Sequence, residues 1–470
     1  MKILLVNPPA YKIQEAYYDT PPYPRTALAF LAGALREKNI DVDVLDCKYE
    51  RLCHDDAVDY IVERRPDIVG YTAFTNEIIQ AGKMASDVKL RLPDSISIIG
   101  GIHVAVMPER TLREFDSFDY AVLGDGEYVL CDLIKFWETH DKKGIPENID
   151  GLAYMKDNSY IIRGEKIEIP DINATPVPAW DMFSPAKVYI LHTQRGCPYH
   201  CPFCINPNGR SIRKQSVDKV INEINFLCNF THEIRSGGRL RLVFGDEIFT
   251  VDRERTVEFC NQLISTGLNK QIEWSCQTHI NHIDYELARL MHEAACFRVG
   301  LGVESGNPER LKEFGKGTTP EKIMQVVKDV KKAKLPVEGY FILGYTNETE
   351  KSAMETINFA VKLNPTYPVF GIMVPYPGTK IGELALKNEG GYTNISSNWN
   401  DYNKQIGNAV DFSGVSRKKL EKLQLFGYLK VYICNFRFID MFKTAWAWRK
   451  LAFSMLWKLL RRKEISRVFV

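Results

Sequence analysis

Three cysteines within eight residues, Cys197, Cys201 and Cys204, carry the strongest chemical signal in the chain. Spaced Cys-x-x-x-Cys-x-x-Cys on a loop, three thiols can point at one centre. Soft thiolates select zinc or an iron–sulfur cluster. Structural zinc takes four closed ligands. Here His200 is a candidate fourth, because the next cysteine, Cys228, falls in a helical stretch. Three thiols on a four-iron cluster would instead leave one iron open to a substrate. A zinc-stabilised binding protein without enzymatic activity is the competing reading. Further glycine, hydroxyl and acidic residues gather downstream at candidate strand ends: Gly245-Asp246-Glu247, Glu304-Ser305-Gly306, Gly339–Gly344 with Phe341 and Ile342, and Val374–Thr379.

The elements that must position these residues alternate strand and helix. From Val188 the strand candidates are Val188–His192, Leu240–Phe244, Ile272–Cys276, Arg298–Val303, Val337–Leu343 and Val369–Val374, with amphipathic helices between them. Six such units fit a parallel barrel, complete or partial, in which chemistry sits at the C-terminal ends of the strands. Residues 1–140 alternate likewise, with strands at Ile3–Val6, Val42–Leu45, Ile68–Tyr71, Ser97–Ile99 and Ala121–Leu123. That pattern predicts a Rossmann-type parallel sheet covered on both faces. Its strand ends carry Thr72 and Thr75, Gly100-Gly101-Ile102-His103 and Gly124-Asp125-Gly126-Glu127, where an open α/β sheet binds ligands. No Gly-x-Gly-x-x-Gly follows the first strand, which disfavours a nicotinamide cofactor. Residues 141–185 are punctuated by Gly and Pro and read as a connector with a possible hairpin.

The 470 residues carry 61 Lys/Arg and 59 Asp/Glu, a net charge of +2. That balance argues against bulk nucleic-acid binding. It conceals an asymmetry, because residues 426–470 hold ten bases and two acids. This tail also contains Trp446, Trp448 and Trp457 among basic residues at helical spacing. Residues 440–470 are therefore expected to form a basic amphipathic helix, lying either on a membrane surface or with its apolar stripe packed on the barrel and its bases solvated. Eleven cysteines without a secretory signal point to a reducing cytoplasm.

The cysteine loop, with Phe203 before its third cysteine, resembles the radical S-adenosylmethionine superfamily. The resemblance implies a partial (β/α)6 barrel over residues 186–385. It also implies a 4Fe–4S cluster on Cys197, Cys201 and Cys204, whose open iron chelates S-adenosylmethionine and cleaves it to a 5′-deoxyadenosyl radical. On the same grounds Phe203, Gly245, Asp246, Glu247, Glu304, Ser305, Phe341, Ile342 and Gly344 are expected to hold S-adenosylmethionine. Gly245–Glu247 would meet its amino group and Glu304-Ser305 its ribose and carboxylate.

The preceding domain resembles the cobalamin-binding branch of that superfamily, including magnesium-protoporphyrin ester cyclase-like and methylase members. This implies that Pro9, Tyr23, Thr72, Thr75, Gly100, Gly101, His103, Gly124, Gly126 and Glu127 surround a corrin and its nucleotide tail. The sequence lacks Asp-x-His-x-x-Gly, has Arg25-Thr26-Ala27-Leu28 where the branch commonly places a glycine, and has Val104-Ala105 after His103. The implied reaction is methylation of an unactivated carbon of a small or lipid-like substrate, with reduced ferredoxin or flavodoxin as electron donor. Oxidative cyclisation or carbon–carbon coupling on a tetrapyrrole or lipid is the alternative. The expected order is a cobalamin-binding-like domain at 1–140, a connector at 141–185, the barrel at 186–385 and a helical C-terminal region at 386–470.

Overall fold

The computed structural model describes residues 1–10, 12–13, 16–17, 21–140, 144–403 and 408–447. Five strands open the fold: β1 (Lys2–Asn7), β2 (Asp41–Asp46), β3 (Ile68–Thr72), β4 (Ile96–Gly100) and β5 (Tyr120–Val122). They lie parallel in the order β2-β1-β3-β4-β5. Ile3, Leu4, Leu5 and Val6 are all fully buried, as an uninterrupted apolar run must be when helices cover both sheet faces. Helices α1 (Thr26–Glu37), α2 (His54–Arg64), α3 (Ile78–Arg91) and α4 (Gly126–Thr139) supply that cover. The chain reverses direction across the sheet between β1 and β3, the switch point where such sheets open a ligand crevice.

The expected hairpin forms as β6 (Leu152–Lys156) and β7 (Ser159–Arg163). It is more than a link: β6 pairs antiparallel with β5 through Leu152 and Ala153, and so extends the first sheet to seven strands.

Strands β8 (Val188–Leu191), β9 (Leu240–Phe244), β10 (Ile272–Thr278), β11 (Cys296–Glu304), β12 (Val337–Leu343) and β13 (Tyr367–Ile372) form a second, parallel sheet in sequence order. Its edges are β8 and β13, the pattern of a partial barrel. Between its strands run α5 (Val217–Phe230), α6 (Arg253–Ser265), α7 (Tyr285–Glu293), α8 (Pro320–Lys332) and α9 (Glu350–Leu363). Each starts on a residue whose short side chain accepts from a backbone N–H of the first turn: Ser216, Asp252, Asp284, Thr319 and Thr349. Such caps satisfy donors that the helix cannot satisfy itself. Phe244, Phe249, Phe259 and Trp274 pack edge-on and tilted beneath β9 and β10 with centroids 4.7–5.6 Å apart.

The described residues end in α10 (Lys380–Leu386), α11 (Arg417–Cys434) and α12 (Phe438–Ala447). The amphipathic tail expected over 440–470 falls outside the described residues from 448 onward. Among the described residues no helix is long and apolar enough to cross a membrane.

The two sheets are joined by buried contacts. Arg195, just past β8, pairs with Asp125 at 2.7 Å and Glu127 at 2.5 Å, and Arg213 pairs with Asp125 at 2.6 Å. The Thr26 hydroxyl at the start of α1 donates to the Ile190 carbonyl on β8 at 2.7 Å. From the C-terminal region, the Trp399 indole N–H donates to Glu114 at 2.6 Å, and Arg110 lies 4.1 Å over the Trp399 ring.

Candidate cofactor site

The thiol loop leaves β8 through Gly196, whose φ of 100° suits glycine; an added Cβ would stand 2.1 Å from the Ser211 carbonyl. Backbone bonds close the loop: Cys197 N–H to the Gly209 carbonyl at 3.1 Å and Cys204 N–H to the Cys201 carbonyl at 3.1 Å. Tyr199 stacks on His279 at 4.1 Å, and its hydroxyl meets His282 Nε2 at 3.0 Å. Phe203 packs edge-on against Phe314. Cys197 and Cys201 are half-buried, Cys204 is exposed, and all three are free thiols. Burial pushes Cys201 up to about 11, opposed by the Lys316 ammonium, and burial likewise raises Cys197. The Cys204 charge adds to the rise at both Cys197 and Cys201, so the three thiols share one electrostatic neighbourhood. Among the described residues no three His, Cys, Asp or Glu side chains converge on a single metal ion. His200 is exposed beside the thiols.

At the end of β9 two adjacent acids do different work. Asp246 turns inward: Oδ1 accepts from the Thr193 and Gln194 N–H groups at 2.7 and 3.2 Å, and Oδ2 from the Thr193 hydroxyl at 2.7 Å. Burial raises its carboxyl to about 6 despite those donors. Asp246 thus fixes the start of the thiol loop. Glu247 accepts from Asn208 Nδ2 at 2.6 Å through Oε1, while its Oε2 is buried without a partner. Its charge reaches the Cys197 thiol. Gly245 leaves room for His192, whose ring would be 2.6 Å from an added Cβ.

On β11, Glu304 has a φ of 60° and pairs with buried Lys316 at 2.5 Å. Ser305 is used locally: its hydroxyl accepts from the Asn307 N–H and meets Thr356. On β12 burial alternates, so Phe341 enters the helix-side core and stacks on Phe370, whereas Ile342 lies on the opposite face, half-buried. The Gly344 N–H donates to Glu348 at 2.9 Å.

The first domain contributes a cavity of about 540 Å³ at the strand ends. Tyr23, Thr72, Gly100, Gly101, Gly124, Gly126 and Glu127 all line it. Its depth is apolar, between Leu5, Gly70, Ile98 and Val122 of the sheet and Leu28, Leu31 and Leu130 of the helices. An added Cβ on Gly100 would meet nothing nearer than 3.9 Å, so bare backbone faces open space there. A slot with apolar depth and a polar mouth fits a planar heteroaromatic tail carrying polar groups. Pro9, Thr75 and His103 are buried outside this lining. His103 is fully buried, 3.3 Å from the Thr75 hydroxyl and edge-on to Trp399, and burial holds its imidazole down at about 4.

Residues of the barrel close the same cavity: Ile190, His192, Arg195, Pro207 and Asn208. Sequence reasoning did not find His192, Arg195, Asn208 or Lys316. His192 and Arg195 flank the first barrel strand's end, which was a usable signal. Lys316 sits in Phe314-Gly315-Lys316-Gly317, where the glycines alone were weak.

Fold and site together define a two-domain enzyme that assembles one cofactor region from a doubly wound sheet and a partial parallel barrel. The Radical SAM superfamily model matches residues 191–360 and the B12 binding domain model matches residues 14–134. An uncharacterized methyltransferase of Pyrococcus horikoshii is 31% identical over 442 residues, covering 92% of this chain and 93% of the relative. An anaerobic magnesium-protoporphyrin IX monomethyl ester cyclase of Cereibacter sphaeroides is 27% identical, covering 76% of this chain and 60% of the relative. In fold, the radical S-adenosylmethionine methyltransferase TsrM from Kitasatospora setae, solved with cobalamin and a [4Fe-4S] cluster bound, aligns with a TM-score of 0.69 at 19% identity over 87% of this chain and 82% of that one. The chain belongs to the radical S-adenosylmethionine superfamily, in the group that carries a B12-binding domain ahead of the barrel.

Proposed function

We propose that this enzyme transfers a methyl group to an unactivated carbon, using a 4Fe–4S cluster, S-adenosylmethionine and cobalamin. The observation that carries the reading is the continuity of the two cofactor corners. Asn208 lines the first domain's cavity and also donates to Glu247 beside Cys197. When bound, the cluster and S-adenosylmethionine supply a hydrogen-abstracting radical, and the corrin supplies the methyl group.

This chain's residues do the rest. Cys197, Cys201 and Cys204 would hold the cluster through their thiolates. Glu247 Oε2 offers an unused acceptor to an ammonium. Lys316 offers a cation to a carboxylate, and its pairing with Glu304 holds both in place. His192 carries a neutral imidazole into the wall between the corners, because burial lowers its pKa to about 4. The apolar depth of the cavity, between the first sheet and its helices, would seat the corrin's nucleotide tail. Methylation is favoured over cyclisation because the Pyrococcus methyltransferase matches nearly end to end, whereas the cyclase match spans 60% of its relative.

The test needs no substrate. Reconstituted protein is given hydroxocobalamin, dithionite and S-adenosylmethionine with a deuterated methyl group. The expected result is 5′-deoxyadenosine together with deuterium in the protein-bound corrin. Deoxyadenosine without retained or labelled corrin would overturn methylation in favour of a cyclising or coupling reaction.

A further inference from the structure

Helix α11 is apolar on two sides but covered on one. Leu420, Leu423 and Val431 are buried toward the barrel, while Leu425, Leu429 and Ile433, spaced by four, are 40–55% exposed. The exposed row continues into the turn after α11 and onto α12, where Phe436, Ile439 and Phe442 are 70–84% exposed. Single exposed apolar residues need no explanation; a contiguous row across two helices marks an interaction surface.

The turn is built rather than frayed. Phe436 has a φ of 57°, a conformation that a bulky side chain adopts under strain. Arg437 locks it in place by donating to Asn364 at 2.9 Å and to the carbonyls of Pro365 and Thr366 at 2.7 and 2.5 Å. The barrel therefore holds Phe436 outward.

Charge identifies the occupant. Lys418, Lys422 and Lys443 are exposed around the row. The acids alongside, Glu421 and Asp440, are engaged by Arg417 and Arg437. A second copy docking on this face would bring these exposed lysines of two molecules together. We infer that the α11–α12 face docks on an anionic phospholipid surface, with the apolar row in the headgroup–acyl boundary and the lysines on lipid phosphates. This rests on exposed side chains and charge, and is independent of the methylation reading.

The test is flotation of the full-length protein with vesicles of phosphatidylcholine plus phosphatidylglycerol, against phosphatidylcholine alone. Wild type is expected to float with the anionic vesicles. The triple variant Phe436→Ser, Ile439→Ser, Phe442→Ser should lose about tenfold of that partitioning, as buried apolar area drives interfacial binding. Phe436→Gly removes the ring while relieving the backbone strain, so it reports on docking even if the triple variant folds poorly; it should show a smaller loss. Wild type remaining with the unbound fraction, or both variants floating like wild type, would overturn the proposal. So would a wild-type dimer that the variants dissociate without lipid, which would assign the face to a second copy. Reductive cleavage of S-adenosylmethionine is measured in parallel, so failure here is distinct from failure of the catalytic assignment.

Discussion

Cys201 and Cys197 are thiols that burial keeps protonated, so they become thiolates only beside a positive centre. Replacing Cys197, Cys201 and Cys204 by Ala should therefore remove bound iron and abolish deoxyadenosine formation, while the far-ultraviolet dichroism persists. Iron analysis of the reconstituted variant checks this, and full iron loading would refute the ligand assignment. Glu247 makes a finer prediction. Hydrogen bonds to charged groups contribute about 1.5–3 kcal/mol, so Glu247→Gln should weaken S-adenosylmethionine binding by about tenfold or more. Equilibrium dialysis measures it; unchanged affinity would take Glu247 out of the site. At this scale the sequence was legible where chemistry is local. The cysteines lie within eight residues and need no distant partner to be recognised. Asp246 and Glu247 show the limit, since nothing in two adjacent acids says that one turns inward to Thr193 and the other toward Asn208. Lys316 was hidden for the same reason: what marks it is its pairing with Glu304 and its reach to Cys201.

The six barrel strands were legible because each is a short apolar run followed by a capped helix, the last capped by Thr379, two local signals that agree. The hairpin β6–β7 was legible as a hairpin. Its place beside β5 was not, because an antiparallel partner at a sheet edge leaves no periodicity of its own. One inter-element contact yields a pH prediction. Glu223 on α5 accepts from the Trp180 indole at 2.7 Å, and its burial raises its carboxyl from 4.5 to about 7 against the opposing pull of that hydrogen bond and of Lys219. The folded chain then binds this proton more tightly than the unfolded chain. The site's contribution to stability is therefore present in full below pH 4.5 and is lost as pH rises through 7. Glu223→Gln keeps the acceptor and removes the titration. It should stabilise the protein by about 3 kcal/mol at pH 8, with the gain fading toward pH 4.5. Thermal melting of both proteins across that range is the measurement, and a pH-independent difference would reject the assignment.

The whole molecule depends on the seam between its two sheets, because the cavity has walls from both. Arg195 lines that cavity and binds Asp125 and Glu127, while Arg213 holds Asp125 from the other side. All four side chains are largely withdrawn from water, so the pairs are unscreened and removing one partner strands a charge. Breaking such a pair costs about 3–5 kcal/mol. Arg195→Met keeps the side-chain bulk but leaves Glu127 without its cation and Asp125 with Arg213 alone. Neither sheet loses a core residue, so each should retain its own packing while the seam loosens. The expected signature is selective: iron loading close to wild type, since the thiol loop is closed by its own backbone bonds, but cobalamin retention reduced by about tenfold or more, as 1.4 kcal/mol already corresponds to tenfold. Gel filtration after reconstitution, with corrin absorbance and iron read on the same fraction, separates the two. Equal loss of iron and corrin would mean that the seam supports general folding rather than the shared cavity. Unchanged retention of both would mean that the contacts between α1, the connector and β8 hold the sheets together without it.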